Sequence, residues 1–292
     1  MPQGEQIAII TGSSSGIGYE TSLMLARNGF HTYATMRNIE GRGEGGSNQI
    51  TDIAKNENLP LEVIQLDVNS DKSVTEAINR IADEKDRIDV VVNNAGYDLT
   101  GAIEEISLDQ MRAQFETNFF GAVKVMKSII PKMRKQRSGK IVNITSMGGR
   151  IAIPFHSIYH GTKFALEGLS ESIQYELEPF GIKIILIEPG AVGSNFWKNM
   201  KTATKPTESE STDSPYSQMK TKISESLNQA VQNAMHPSEV AKAILEAISS
   251  DNPDFRYPVG KDANMTIEAR KNMSDAGFQD LLRKQFNLQN DS

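Results

Sequence analysis

Short apolar runs alternate along the chain with longer stretches in which apolar side chains return every three or four positions. The runs Ile7–Ile10, Thr32–Thr35, Leu61–Leu66, Val90–Val92, Lys140–Ile144 and Ile182–Ile187 predict buried strands. Between them, Glu20–Asn28, Ser47–Asn56, Asp71–Lys85, Leu108–Arg137 and Ser157–Phe180 predict helices, with Val74, Ile78 and Ile81 on one face. Regular alternation of strand and helix implies the α/β class, a doubly wound parallel sheet with helices on both faces. Such sheets bind ligands beyond the C-terminal ends of their strands.

The rhythm stops after Pro189-Gly190. The stretch Ala203–Pro215 is rich in Ser, Thr, Glu and Pro and is expected to be a loop, and Gly41–Gly46 reads as another. Two more helices are expected, one of them Ser238–Ser249 started by Pro237, and then a last strand at Phe255–Val259. The expected organisation is a single domain over residues 1–261, with a long substrate loop at 190–236 able to act as a lid, and a C-terminal helical tail at 262–292. No internal repeat is present.

Composition narrows the classes. At 292 residues, 38% hydrophobic and 23% charged, the chain has material for a sizeable core. A net charge of -6, from 31 basic and 37 acidic residues, argues against a nucleic-acid partner. The absence of cysteine removes disulfides, thiolate nucleophiles and cysteine metal sites. Apolar stretches are strand-sized and Met1–Ile10 lacks a signal-peptide pattern, so a cytoplasmic protein without a membrane span is expected.

Candidate chemistry begins after the first strand, at Thr11-Gly12-Ser13-Ser14-Ser15-Gly16-Ile17-Gly18. Glycines there let the backbone approach a pyrophosphate, and the helix that follows turns its unpaired N–H groups to the phosphates. Further on, Tyr159 and Lys163 stand four apart, so a helix projects them from one face toward one ligand. His156 and His160 have the same spacing, but no third ligand stands nearby and no metal site is expected.

With these motifs the chain resembles the short-chain dehydrogenase/reductase family, whose glycine spacing is the same. Asn93-Asn94-Ala95-Gly96 after the fourth strand, Asp67 with Val68 after the third, Asn118 in Thr117–Gly121, Ser146 after the fifth, Tyr159 to Lys163, and Pro189-Gly190-Ala191-Val192-Gly193-Ser194 follow in the family's order. The wording of Tyr33–Asn38, Gly96–Gly101 and Lys163–Leu169 is similar to the branch with hydroxysteroid and retinol dehydrogenases. The resemblance spans about residues 5–260 and implies a Rossmann-fold oxidoreductase that moves a hydride between a nicotinamide and a carbonyl or secondary alcohol. It implies that Tyr159 is the general acid and base, that Lys163 lowers the phenol pKa and holds the nicotinamide ribose, and that Ser146 bonds the reacting oxygen. By the same resemblance Asn118 positions a water on the proton's path.

It also implies that Gly12, Ser14, Ser15, Gly16, Ile17, Gly18, Asp67, Val68, Asn94, Ala95, Gly96, Pro189, Gly190, Val192 and Ser194 border the cofactor together with Tyr159 and Lys163. His160 and Gly161 depart from the small Ser or Ala usual inside that motif, and Ser194 stands where threonine is usual. At the end of the second strand, where NAD-specific folds carry a carboxylate, this chain has Met36 and then Arg37, with no acidic residue until Glu40. NADP(H) is therefore the expected cofactor, with NAD(H) possible, although Ser15 occupies the place of a basic residue found in many NADP-dependent members. Phe196 and Trp197 are expected to wall the pocket together with Ser146 and Tyr159. Few Lys or Arg residues accompany them beyond Lys198 and Lys201, so a mainly apolar carbonyl or alcohol substrate is expected. A homodimer or homotetramer through the long helices is implied by resemblance alone. Two other readings stay open at this point: a non-catalytic dinucleotide-binding redox sensor, and an isomerase or epimerase on the same fold.

Overall fold

The structure, a computed structural model, describes residues 5–40, 44–194, 196, 200–203 and 214–288. Seven parallel strands form one sheet: β1 (Gln6–Thr11), β2 (Phe30–Met36), β3 (Leu61–Gln65), β4 (Val90–Asn93), β6 (Gly139–Ile144), β7 (Ile182–Pro189) and β9 (Arg256–Val259). Their spatial order is β3-β2-β1-β4-β6-β7-β9. The winding reverses between β1 and β4, and at such a switch point the loops diverge and leave a crevice.

Side-chain alternation assigns the two faces. Ile7 and Ile9 of β1 pack with Val91, Ile141 and Ile184 beneath α3 (Asp71–Lys85), α5 (Gly121–Gln136) and α6 (Ser157–Leu177). Ala8 and Ile10 point the other way, with Val92, Val142 and Ile185, against α1 (Gly16–Arg27) and α8 (Pro237–Ser249). Period two along buried parallel strands is the reason both faces read as continuous apolar runs.

Several boundaries differ from the expectation. The first helix starts at Gly16 instead of Glu20, because its opening turn is the glycine-rich segment itself. The segment expected to be a loop through Gly46 is already helical from Glu44, as α2 (Glu44–Asn56), while Arg42 lies outside the described residues. Leu108–Arg137 is not one uniform helix: α4 (Leu108–Phe115) passes through a π-turn at Glu116–Phe120 before α5. Two short strands, β5 (Leu99–Thr100) and β8 (Lys201–Thr202), pair beside the sheet's C-terminal edge. The chain then forms α7 (Ser217–Gln232), α9 (Lys261–Asn272) and α10 (Asp275–Gln285). The last two bury Ala263, Ile267 and Phe278, and Asp262 of α9 accepts the Ala191 N–H at 2.7 Å. The C-terminal helices thus brace the turn that follows β7. Among the described residues no helix is long and apolar enough to cross a membrane.

Candidate active site

The loops at the ends of β1 and β4 are bound to one another. The Thr11 hydroxyl donates to the Val92 carbonyl at 3.3 Å and accepts the N–H groups of Asn94 and Ala95 at 3.0 and 3.1 Å. The Asn94 amide donates in return to the carbonyls of Thr11 (2.9 Å) and Gly12 (3.1 Å). Gly12 has φ +71, a conformation that favours glycine. A Cβ on Gly18 would lie 2.5 Å from the Gly12 carbonyl oxygen, so only glycine lets α1 begin so close to the turn.

Ser15 is the N-cap of α1, yet its side chain makes no capping bond, and the first turn contains no acidic residue. The unpaired N–H groups and the positive helix end are left for an anion. Ser194 lies across from Gly16, and Ile17 packs into the core beneath. A pyrophosphate fits this cradle. Asp67 spends one carboxylate oxygen on the Asn69 N–H at 3.0 Å, and Val68 is buried against Gly121. Burial pushes the Tyr97 phenol pKa up, and Arg37, exposed just past β2, is near enough for its charge to oppose that rise. Pro189 ends β7, the Gly190 N–H donates to Val259, and Val192 bridges to Met235.

Across the crevice lie the groups nominated for chemistry. Ser146 follows β6 and its Oγ accepts the Gly148 N–H at 2.9 Å. Tyr159, in the first turn of α6, lies near enough to this hydroxyl to feel it. Burial pushes the Tyr159 phenol pKa up, and the nearby Ser146 hydroxyl opposes that rise. One helical turn on, the buried Lys163 donates its Nζ to the Ile144 carbonyl at 2.8 Å and lies 5.7 Å from the centre of the Tyr159 ring. Burial pushes this ammonium down to about 8, opposed by the Glu167 and Asp98 carboxylates. The π-turn directs the buried Asn118 to the Tyr97 main chain: its Oδ1 accepts the Tyr97 N–H at 3.0 Å and its Nδ2 donates to the Tyr97 carbonyl at 2.8 Å. The Phe196 ring stands 5.8 Å from the Tyr159 ring. Trp197 and Lys198 lie outside the described residues.

The sequence pattern of the family described as short chain dehydrogenase matches residues 6–205. The chain belongs to that family. A 3-ketodihydrosphingosine reductase from Bacteroides thetaiotaomicron is 35% identical over 256 residues, covering 87% of this chain and 88% of the relative. Bovine retinol dehydrogenase 8 is 37% identical over 265 residues, with 88% and 82% covered. The crystal structure of a short-chain dehydrogenase from Streptomyces avermitilis superposes with a TM-score of 0.78 at 28% identity, covering 98% of this chain and 96% of the other. This short-chain dehydrogenase is therefore an oxidoreductase that acts on CH–OH groups with a nicotinamide dinucleotide, and the cradle described above fits the phosphates of that cofactor.

Three features of the dehydrogenase had no sequence signal strong enough to nominate them. The His160 ring is buried: its Nδ1–H donates to the Gly148 carbonyl at 2.8 Å and its Nε2 accepts the Ile153 N–H at 3.1 Å. Those two bonds tie the Ser146 turn to the first turn of α6. Behind Lys163, the buried Glu167 and Glu188 converge on Arg256 and Arg150. Asp98 and His156 form a third cluster, 58 residues apart in sequence.

Proposed function

We propose that this short-chain dehydrogenase transfers a hydride between NADP(H) and a mainly apolar ketone, aldehyde or secondary alcohol, with Tyr159 as general acid and base. The observation that carries this reading is the buried Lys163 ammonium, fixed on the Ile144 carbonyl and 5.7 Å from the centre of the Tyr159 ring, with the Ser146 hydroxyl near the same phenol. The dinucleotide, when bound, supplies or accepts the hydride. Tyr159 donates its O–H proton to the carbonyl oxygen in reduction and recovers it in oxidation. Ser146 bonds that same oxygen: its Oγ accepts from Gly148, and its own proton is left to give. Lys163 holds the nicotinamide ribose and supplies positive charge near the phenol, and Asn118 stands on the path by which the proton leaves. Phe196 beside Tyr159 supports an apolar pocket wall. A screen of ketones, aldehydes and alcohols that follows absorbance of the reduced nicotinamide tests the reading; no cofactor oxidation or reduction with any of them would refute it.

The charge on Lys163 sets a pH dependence. Its folded pKa lies below its ordinary value, at about 8, so the ammonium is present below that pH and is lost above it. NADPH binding is expected to weaken as pH rises through about 8. In Lys163→Arg the guanidinium stays charged, and the weakening should disappear even if affinity is lower throughout. Fluorescence titrations of NADPH across pH check this; parallel profiles for the two proteins would contradict it.

The cofactor preference rests on Arg37, which follows the buried Met36 where a carboxylate would repel a 2′-phosphate. Arg37→Ala should cut the ratio of NADPH to NADH affinity by about tenfold or more, the worth of a charge-assisted hydrogen bond. Tighter binding of NADH than NADPH by the unaltered protein would refute the preference. We further propose a homodimer or homotetramer, supported by the exposed Phe120 and Phe164 on the two long helical elements.

A further inference from the structure

Asp98 and His156 are both buried, 3% and 4% exposed, and their side chains meet at 2.7 Å between Oδ2 and Nδ1. Nothing in the proton transfer uses them. The second Asp98 oxygen, Oδ1, is buried with no hydrogen-bond partner among the described residues. A buried carboxylate oxygen without a donor is costly, and such an atom in a folded protein calls for a cause.

The backbone around the pair is strained to build it. Phe155, immediately before His156, has φ +67, where an aromatic residue is rarely found. The Gly101 N–H holds it there by donating to the Phe155 carbonyl at 2.9 Å. Asp98 is fixed on its other sides: Asn118 clamps the main chain of Tyr97 before it, and its own carbonyl accepts the Lys201 N–H at 2.9 Å where β8 pairs with β5.

The pair lies beside the chemistry. His156 is the N-cap of α6, and its ring stands 6.3 Å from the His160 ring, itself 5.8 Å from the Tyr159 ring. The Asp98 charge acts on all three neighbours: it adds to the upward push of burial on the Tyr159 phenol and opposes the downward push of burial on His160 and Lys163. We propose that the Asp98–His156 pair is a recognition subsite for a hydrogen-bond donor, a hydroxyl or an ammonium, that the substrate carries on the carbon next to the reacting one. This rests on the reading of Tyr159 as the proton-transfer group. An ionised carboxylate only accepts, so Oδ1 selects a donor and rejects an anion or a second carbonyl. The substrate class is thus a hydroxy or amino ketone, or the corresponding diol or amino alcohol, on an otherwise apolar skeleton.

Three probes test this with NADP+: a secondary alcohol of an eight-carbon chain, its vicinal diol, and its vicinal amino alcohol. The diol or the amino alcohol should show kcat/KM about tenfold or more above the plain alcohol, equivalent to about 1.4 kcal/mol. Asp98→Ala should remove that advantage while NADPH binding, followed by fluorescence, persists. Asp98→Asn keeps an acceptor without the charge: it should retain a preference for the diol if a hydroxyl is bound, and lose a preference for the amino alcohol if an ammonium is bound. It also decides the matter if Asp98→Ala fails to fold. Equal rates for the three probes in the unaltered protein would overturn the subsite, as would an Asp98 substitution that slows all three alike, the mark of a merely structural pair. Oxidation of none of them would instead overturn the underlying reading, and the subsite with it.

Discussion

Tyr159→Phe is expected to lower kcat by about 10²- to 10⁴-fold, the usual contribution of a general acid, and to leave NADPH binding within about twofold of the unaltered protein. The substitution removes the proton and keeps the ring, so the 5.8 Å contacts with His160 and Phe196 survive. Burial keeps the phenol protonated in the chain described here, which suits it to donate in reduction. For oxidation the phenolate must form, and three charges bear on it: the Lys163 ammonium and the oxidised nicotinamide favour it, while the Asp98 carboxylate opposes it. Steady-state rates and fluorescence titration on the same preparation separate chemistry from binding. Retention of more than about a tenth of the activity would remove Tyr159 from the proton transfer.

The second large effect is on stability. Arg256 reaches Glu167 at 3.0 Å, Glu171 at 2.6 Å and Glu188 at 3.5 Å, joining β9 to α6 and β7. Glu188 is wholly buried, and burial pushes the Glu167 carboxyl pKa up even with Arg256 in place. Arg256→Ala would leave both carboxylates with Arg150 as the nearest remaining guanidinium on Glu188. Removing one partner from a buried ion pair typically costs about 3–5 kcal/mol, and the lower end applies because Arg150 remains and Arg256 is partly exposed. The sign with pH follows from linkage. Carboxyls with a folded pKa above the unfolded value destabilise as pH rises past the unfolded value, about 4.3 for Glu. The deficit should therefore be largest near neutral pH and shrink toward about pH 4. Thermal unfolding of both proteins across that range checks it; a difference under about 0.5 kcal/mol at neutral pH would show that the cluster is not held through Arg256.

What could be read in the sequence is what depends on local period. Apolar runs and three-to-four spacing locate the strands and the helices, and Asp71–Lys85 is bounded as expected because Ser70 caps it and Asp86 ends it in a left-handed turn. The π-turn at Asn118 escapes such reading, since one extra residue in a turn barely alters the apolar spacing on either side. Ser146 and Tyr159 are thirteen apart, and strand-then-helix order suffices to bring them near. Asp98 with His156, and Arg256 with Glu167, are 58 and 89 residues apart. Only the packing of β5 against α6, and of β9 against β7, creates those pairs. The C-terminal helices read as polar because each buries few side chains, such as Ile267 and Phe278, on an otherwise solvated surface.

The proposed activity stands or falls on direct hydride transfer between the nicotinamide and a carbinol carbon. It is tested by reducing an apolar ketone with NADPH that carries deuterium at the transferable position of the nicotinamide. The expected product is an alcohol with one deuterium on the carbinol carbon, formed in step with cofactor oxidation and nearly absent with Tyr159→Phe. An alcohol without deuterium when each face of the nicotinamide has been labelled in turn, or product formed without cofactor oxidation, would contradict it.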